Sequence, residues 1–203
     1  MKTLNSITFS TILLFFILLA HQGQAQSDYI LNRDGSKVMG EVKNYNLKQV
    51  KFVPAGEKKA KKYNTEQVNE LYKAGHGTFR ALSLKEDKKR VFLHVLEDGK
   101  IKLYEFLVKG YVQGAPMYNG LGFSNMGAGY SYKNQRWYAQ KEGSKLVDVK
   151  SNGIWGSRKD RKDAFSNLIA DNPQVTKRYL EKDKFTFDFV MSLVVEYNKK
   201  AAE

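Results

Sequence analysis

The chain has no cysteine, and that absence closes several routes at once. Disulfide cross-links, thiolate catalysis, Cys-ligated zinc and a lipid-bearing N-terminal cysteine are all excluded. Histidine is almost as scarce, at three residues in 203. One of them, His21, lies in an N-terminal apolar segment, which leaves His76 and His94 for the rest of the chain. Two histidines on separate elements, with no third ligand in view, make a poor metal site, so neither a metal nor a cofactor is expected. The nucleophile-elbow pattern G-x-S-x-G, the zinc-protease pattern H-E-x-x-H and the phosphate-binding glycine patterns are also missing. No catalytic residue is therefore assigned. Acidic residues are short as well: 34 Lys and Arg face 21 Asp and Glu, a net charge of +13. Such a balance favours an acidic partner, or is a lysine-rich surface that keeps the protein soluble.

What the chain does contain starts with a secretion pattern. Lys2 precedes an apolar run from Ile12 to Ala20, and Gly23 and Ala25 supply small residues ahead of Gln26. The run is short for a membrane span of ~20 residues. Residues 1–25 therefore read as a signal peptide cleaved near Ala25-Gln26, which places the mature protein in the periplasm or outside the cell. No later stretch is apolar enough to cross a bilayer, so membrane association is expected to be peripheral at most.

The strongest structural signal is Val91 to Phe106, VFLHVLEDGKIKLYEF. Side chains on a strand alternate between faces, and the first arm is apolar on both, as a strand inside a sheet is. Gly99 is expected to take the positive φ of a short hairpin loop. Before this hairpin, strands are expected over Tyr29–Asn32, Lys37–Lys43, Gln49–Val53, Lys58–Tyr63, Glu70–Ala74 and Thr78–Leu84, separated by turn signals. Gly40, inside the second, points to a bulge or a close backbone approach. Asn64 and Gln67 have the spacing of a capping box on a single helical turn. After the central hairpin, Gly110 to Tyr132 reads as a long glycine- and tyrosine-rich loop, followed by a hairpin from Arg136 to Val149. Helix signals follow: Ser157 with Asp160, Asn172-Pro173, and Thr186 with Phe185 stapling against Val190. The basic run Arg158, Lys159, Arg161, Lys162 falls on a first turn and is expected to face water.

The expected fold class is α+β: mainly an antiparallel β meander, as a sheet, sandwich or open barrel, with a C-terminal segment of two to three short helices. Residues 26–150 form the β domain with its loop at 110–132. Residues 151–203 form a helical segment packed on it.

Two stretches are candidates for contact with a partner. Tyr111, Tyr118, Phe123, Tyr130 and Tyr132 stand among glycines in the long loop, where planar rings give contact area at low entropic cost. Lys48, Lys51, Lys58, Lys59, Lys61 and Lys62 cluster across the third and fourth strands. These lysines form a basic face for an anionic polymer, or guard an edge strand against pairing with other chains; the second explanation is the simpler. Nucleic acid is disfavoured, because Phe52 and Tyr63 are the aromatics near these lysines and both fit the core better than a stacking platform.

Phe92-Leu93-His94-Val95-Leu96, Gly99, Leu103-Tyr104, the junction Ala170-Asp171-Asn172-Pro173 and the closing Glu196-Tyr197-Asn198 carry a resemblance. Through them the chain resembles a group of small uncharacterised exported β-rich proteins of Bacteroidetes-type bacteria. That resemblance implies fold and export and brings no mechanism with it. Function is expected to be that of a non-catalytic binding module of the cell envelope, for an acidic glycan, an envelope polymer or a protein. The alternative is a hydrolase acting on such a polymer. A cleft with two facing carboxylates, or His76 beside a hydroxyl, would favour the hydrolase.

Overall fold

The computed structural model describes residues 27–84, 89–112, 117–118, 123–124, 130–153, 156–182 and 184–200. Residues 1–25, expected to be a signal peptide, and the expected cleavage site at Ala25-Gln26 lie outside the described residues. Among the described residues twelve strands come first: β1 (Tyr29–Asn32), β2 (Lys37–Tyr45), β3 (Gln49–Pro54), β4 (Lys61–Asn64), β5 (Val68–Lys73), β6 (Gly77–Leu82), β7 (Val91–Asp98), β8 (Ile101–Val112), β9 (Met117–Tyr118), β10 (Phe123–Ser124), β11 (Tyr130–Lys141) and β12 (Val147–Ser151). Three helices follow them among those residues: α1 (Arg158–Ile169), α2 (Pro173–Glu181) and α3 (Phe187–Lys200). The fold is α+β, as the sequence patterning indicates.

Ten strands form one antiparallel sheet in the order β12-β11-β8-β7-β6-β5-β1-β2-β3-β4, which does not close on itself. The central hairpin β7–β8 lies inside it. The meander is interrupted once: β5 returns to the free side of β1, so β1 is paired on both edges. This return forces the sheet to roll. Asn64 ends β4 and Val68 starts β5, a separation the chain can bridge only over ~14 Å. Laid flat, β4 and β5 would stand four strand spacings apart, about 19 Å. The β5-β1-β2-β3-β4 half therefore curls over its own apolar side and encloses Ile30, Val42, Val50, Phe52, Val68 and Leu71, all almost fully buried. Gly40 permits that curl, since a Cβ there would lie 2.1 Å from the Val53 carbonyl oxygen. Asn64 and Gln67 exchange the reciprocal bonds expected of a capping box, but on a turn rather than a helix.

The other half of the same face is covered by the helices. Ile101, Leu103, Trp137, Ala139 and Val149 present a flat apolar surface, and Phe165, Ile169, Val175, Val190, Leu193 and Val194 pack down on it. Each helix starts on a side-chain cap: Ser157 Oγ accepts from Asp160 N at 3.1 Å, Asn172 Oδ1 from Val175 N at 3.2 Å, and Thr186 Oγ1 from Phe189 N at 3.2 Å. Phe185 and Val190 both enter this core, as a staple requires. Arg161 departs from expectation. It is buried rather than solvated, because α1 lies against β12 and turns that position toward the sheet.

Two further expectations need correction. Gly99 does not adopt a positive φ. Its lack of a side chain serves Asn198 of α3 instead, whose Cγ lies 2.4 Å from where a Cβ would stand. Asn198 accepts from Ile101 N at 2.8 Å and donates to Ile101 O at 2.9 Å and to Glu97 Oε1 at 3.2 Å. The region 110–132 is likewise not one loop. The β8–β11 ladder runs on through Tyr132↔Gly110, Ser131↔Tyr111 and Tyr130↔Val112, and β9 pairs with β10 beyond it. Cross-strand pairing, not glycine content, governs the two ends of this stretch.

Candidate functional site

The feature that creates a site is a fork between β7 and β8. Their pairing ends at His94↔Glu105, whereas β8 stays paired with β11 to Val112. Beyond Glu105 the two strands part, and the β2–β3 turn moves in beside β7. The Phe92 amide donates to the Leu47 carbonyl at 2.9 Å, where the next residue of β8 would otherwise have accepted. The space left between this turn and the diverging β8 is a cleft of about 660 Å³. It lies between the two apolar cores, within the size range of small-ligand sites.

Phe79, Phe92, Tyr45 and Leu107 give the cleft an apolar lining. Phe79 stacks on His94 with ring centroids 4.9 Å apart, and Tyr45 tilts against Phe79 at 4.7 Å. The polar groups converge from separate elements. On β8, Glu105 Oε2 lies 3.9 Å from His94 Nδ1, an ion-pair distance rather than a hydrogen bond. Glu105 Oε1 accepts from Gln135 Nε2 at 2.5 Å and, more weakly, from Trp137 Nε1 at 3.4 Å, both on β11. The His94 imidazole first, and then the Trp137 and Gln135 N–H groups, hold the Glu105 carboxyl below the ordinary carboxylate range in spite of its burial. Across the cleft, on the β5–β6 turn, His76 Nδ1 is 3.0 Å from the Tyr45 hydroxyl.

Among the described residues lining the cleft, Glu105 is the one acid, while glycoside hydrolysis by the usual route needs a facing pair. Its carboxyl is pushed toward the ionised form, the wrong direction for a proton donor. His76 does stand beside a hydroxyl, but it is a phenol whose pKa burial raises, so it stays protonated at neutral pH. No group of three or more His, Cys, Asp or Glu able to hold a metal ion occurs among the described residues.

The tyrosines expected to bind a partner are dispersed along paired strands. Tyr111 and Tyr130 lie in β8 and β11, and Tyr118 and Phe123 face each other in the register of β9 and β10. Tyr132 is half-exposed, and its ring covers Gly110 across the ladder, with Cζ 2.4 Å from the position of an added Cβ. That contact is the rescue of a strand glycine by a cross-strand aromatic. The six lysines are all exposed. Lys51 and Lys62 oppose each other on β3 and β4, and Lys61 pairs with Glu57 at 2.7 Å. Lys48, Lys58 and Lys59 sit in turns. Since β4 is the terminal strand of the sheet, the placement fits lysines guarding an edge.

On the opposite face of the sheet, Arg80 binds Glu70 at 2.7 Å and Asp98 at 2.6 Å. The Tyr29 hydroxyl donates to Glu70, and Tyr29 is pushed up to about 12, chiefly by burial. One guanidinium thus serves both carboxylates of that cluster. A depression of about 600 Å³ runs along α2 around Leu180, lined by Ala170, Pro173, Thr176, Lys177, Leu180 and Glu181. Sequence reasoning missed the cleft because its residues come from three hairpins, β2–β3, β5–β6 and β7–β8. The one available signal was His94, a titratable side chain within an otherwise apolar strand.

Comparison with protein-family models, with curated proteins and with solved structures returns no match.

Proposed function

We propose that this is an exported, non-catalytic binding module of the bacterial cell envelope, with the cleft between β7, β8 and the β2–β3 turn as its binding surface. The observation that carries the proposal is the cleft itself. An aromatic lining, one ionised carboxylate and two histidines converge on one concavity, with no second acid among the described lining residues. Export is supported by the sequence pattern around Ala25-Gln26, and a role among envelope polymers by the excess of lysine and by the resemblance to exported β-rich proteins.

Leu107→Trp tests the proposal by filling the cleft from the β8 side. The variant is expected to keep its melting midpoint and to lose most of the capture of envelope polymers or proteins seen with the parent protein. Equal capture by the two would discard the cleft as the binding surface. Amino-terminal sequencing of the mature protein is expected to begin at Gln26, and a retained leader would discard the cleavage assignment.

A further inference from the structure

We infer that the partner held in this cleft is an extended acidic polypeptide segment, which adds to the sheet as an extra strand along the free edge of β8. This deepens the binding-module reading and rests on it. Strand parity carries the inference. Ile101 gives both its N–H and its C=O to Asn198, which sits at the β7 end of the hairpin beside Glu97. The odd-numbered residues of β8 therefore direct their backbone groups toward β7, because direction alternates along a strand. The β8–β11 register is unbroken from Ile101 to Val112, so the parity holds through Glu105, Leu107 and Lys109. Glu105 finds β7 at His94. Leu107 and Lys109 do not, because β7 has parted from β8 and the Phe92 amide has taken the Leu47 carbonyl instead.

Beyond Glu105, then, β8 has a strand on one side only among the described residues, and its other edge opens on the cleft. Such an edge is a template for one ligand geometry: an extended backbone ~4.8 Å away, with every second side chain on the same face. The cleft supplies the pocket for those side chains, over Phe92 and Phe79. Charge selects the sign. Lys109 stands exposed on the rim with Lys133 opposite it in register, and Glu105 is already occupied by Gln135, Trp137 and His94. A glycan would use the rings but not the backbone edge.

The test uses hydrogen exchange and a library of random linear heptapeptides enriched in Asp and Glu, panned against the full protein. In the free protein the Leu107 and Lys109 amides are expected to exchange quickly, and Phe106 and Val108, directed at β11, slowly. Bound peptides are expected to slow Leu107 and Lys109 selectively. N-methylation at alternate peptide positions should weaken binding about tenfold per lost bond, and at intervening positions hardly at all. Lys109→Glu should weaken acidic peptides while leaving the exchange of the free protein unchanged. Peptides that bind without protecting Leu107 and Lys109, or whose methylation shows no alternation, overturn the inference. So does slow exchange at Leu107 and Lys109 in the free protein, whether from a strand already present or from a second copy of the chain pairing there. Neutral oligosaccharides that perturb Phe92 and His94 with those amides still fast would overturn it and keep the cleft. If neither peptides nor oligosaccharides perturb Phe92 and His94, both readings fall.

Discussion

Asn198→Ala and Gly99→Ala together test how the last helix is fastened to the central hairpin. Asn198 satisfies both backbone groups of Ile101, a residue with no solvent exposure, and also reaches Glu97. Removing the amide leaves a buried donor and a buried acceptor without partners, at roughly 1–3 kcal/mol each. Some relaxation toward water at the hairpin end lowers the sum, so a loss of about 2–4 kcal/mol is expected. For a chain of this size that is a fall of roughly 5–15 °C in melting midpoint. Gly99→Ala acts on the same contact from the other side. The backbone at Gly99 is not left-handed, so alanine is unstrained there, and its Cβ instead meets the Asn198 amide at 2.4 Å. The single substitution is therefore expected to destabilise. In the Asn198→Ala background it should be neutral, or stabilising by roughly 0.4–1 kcal/mol through the stiffer unfolded chain. Urea denaturation of the four proteins closes the cycle. Additive costs, or an Asn198→Ala effect below about 1 kcal/mol, would refute the account of this joint.

Leu193→Ala, at the centre of the helix–sheet core, is expected to cost about 2–5 kcal/mol in the same denaturation assay; a loss under 1 kcal/mol would mean that α3 is not packed on the sheet as described. Arg80→Met strips two carboxylates of their partner, and a loss of about 1–3 kcal/mol is expected, partly recovered when Glu70→Gln and Asp98→Asn are added. Stability should be flat above about pH 5 and fall as acid is added below about pH 4. Glu105 and Asp98 have depressed pKa values in the folded state, so their contribution is present above the unfolded pKa and lost as pH drops through the folded one. Asp148, raised by burial, runs the opposite way, and Glu105→Gln should shallow the acid limb of the midpoint–pH curve.

Elements with local causes were legible in the sequence. Alternation in Val91–Phe106 located the central hairpin, and Ser157, Asn172 and Thr186 located the three helix starts, because a cap acts over three residues. The slot of β1 between β5 and β2 was not legible, since a turn at Asn64–Gln67 looks alike whether its strands pair or separate. The long reach of β8 was obscured by Gly110, whose strand conformation depends on Tyr132, 22 positions later, lying over it. The cleft was hidden for the same kind of reason. His76, His94, Glu105 and Tyr45 are ordinary residues in sequence; strand register pairs His94 with Glu105, and the docking of Leu47 against Phe92 brings the turn that carries Tyr45 beside them.

The position of β1 has a consequence for how the protein survives among proteases. β1 forms an interior stave of the sheet, and Asp28 just ahead of it accepts from the Val42 and Ala74 amides, tying the segments on both sides to it. Digestion that advances from the amino-terminal side as far as β1 would reach a structural seam. Loss of Tyr29–Asn32 would remove the strand pairing between β2–β4 and the remainder, leaving two bared strand borders held near one another by the shared core and the Phe92–Leu47 bond. The same seam is a place where a supplied strand with the sequence Tyr-Ile-Leu-Asn would restore the whole.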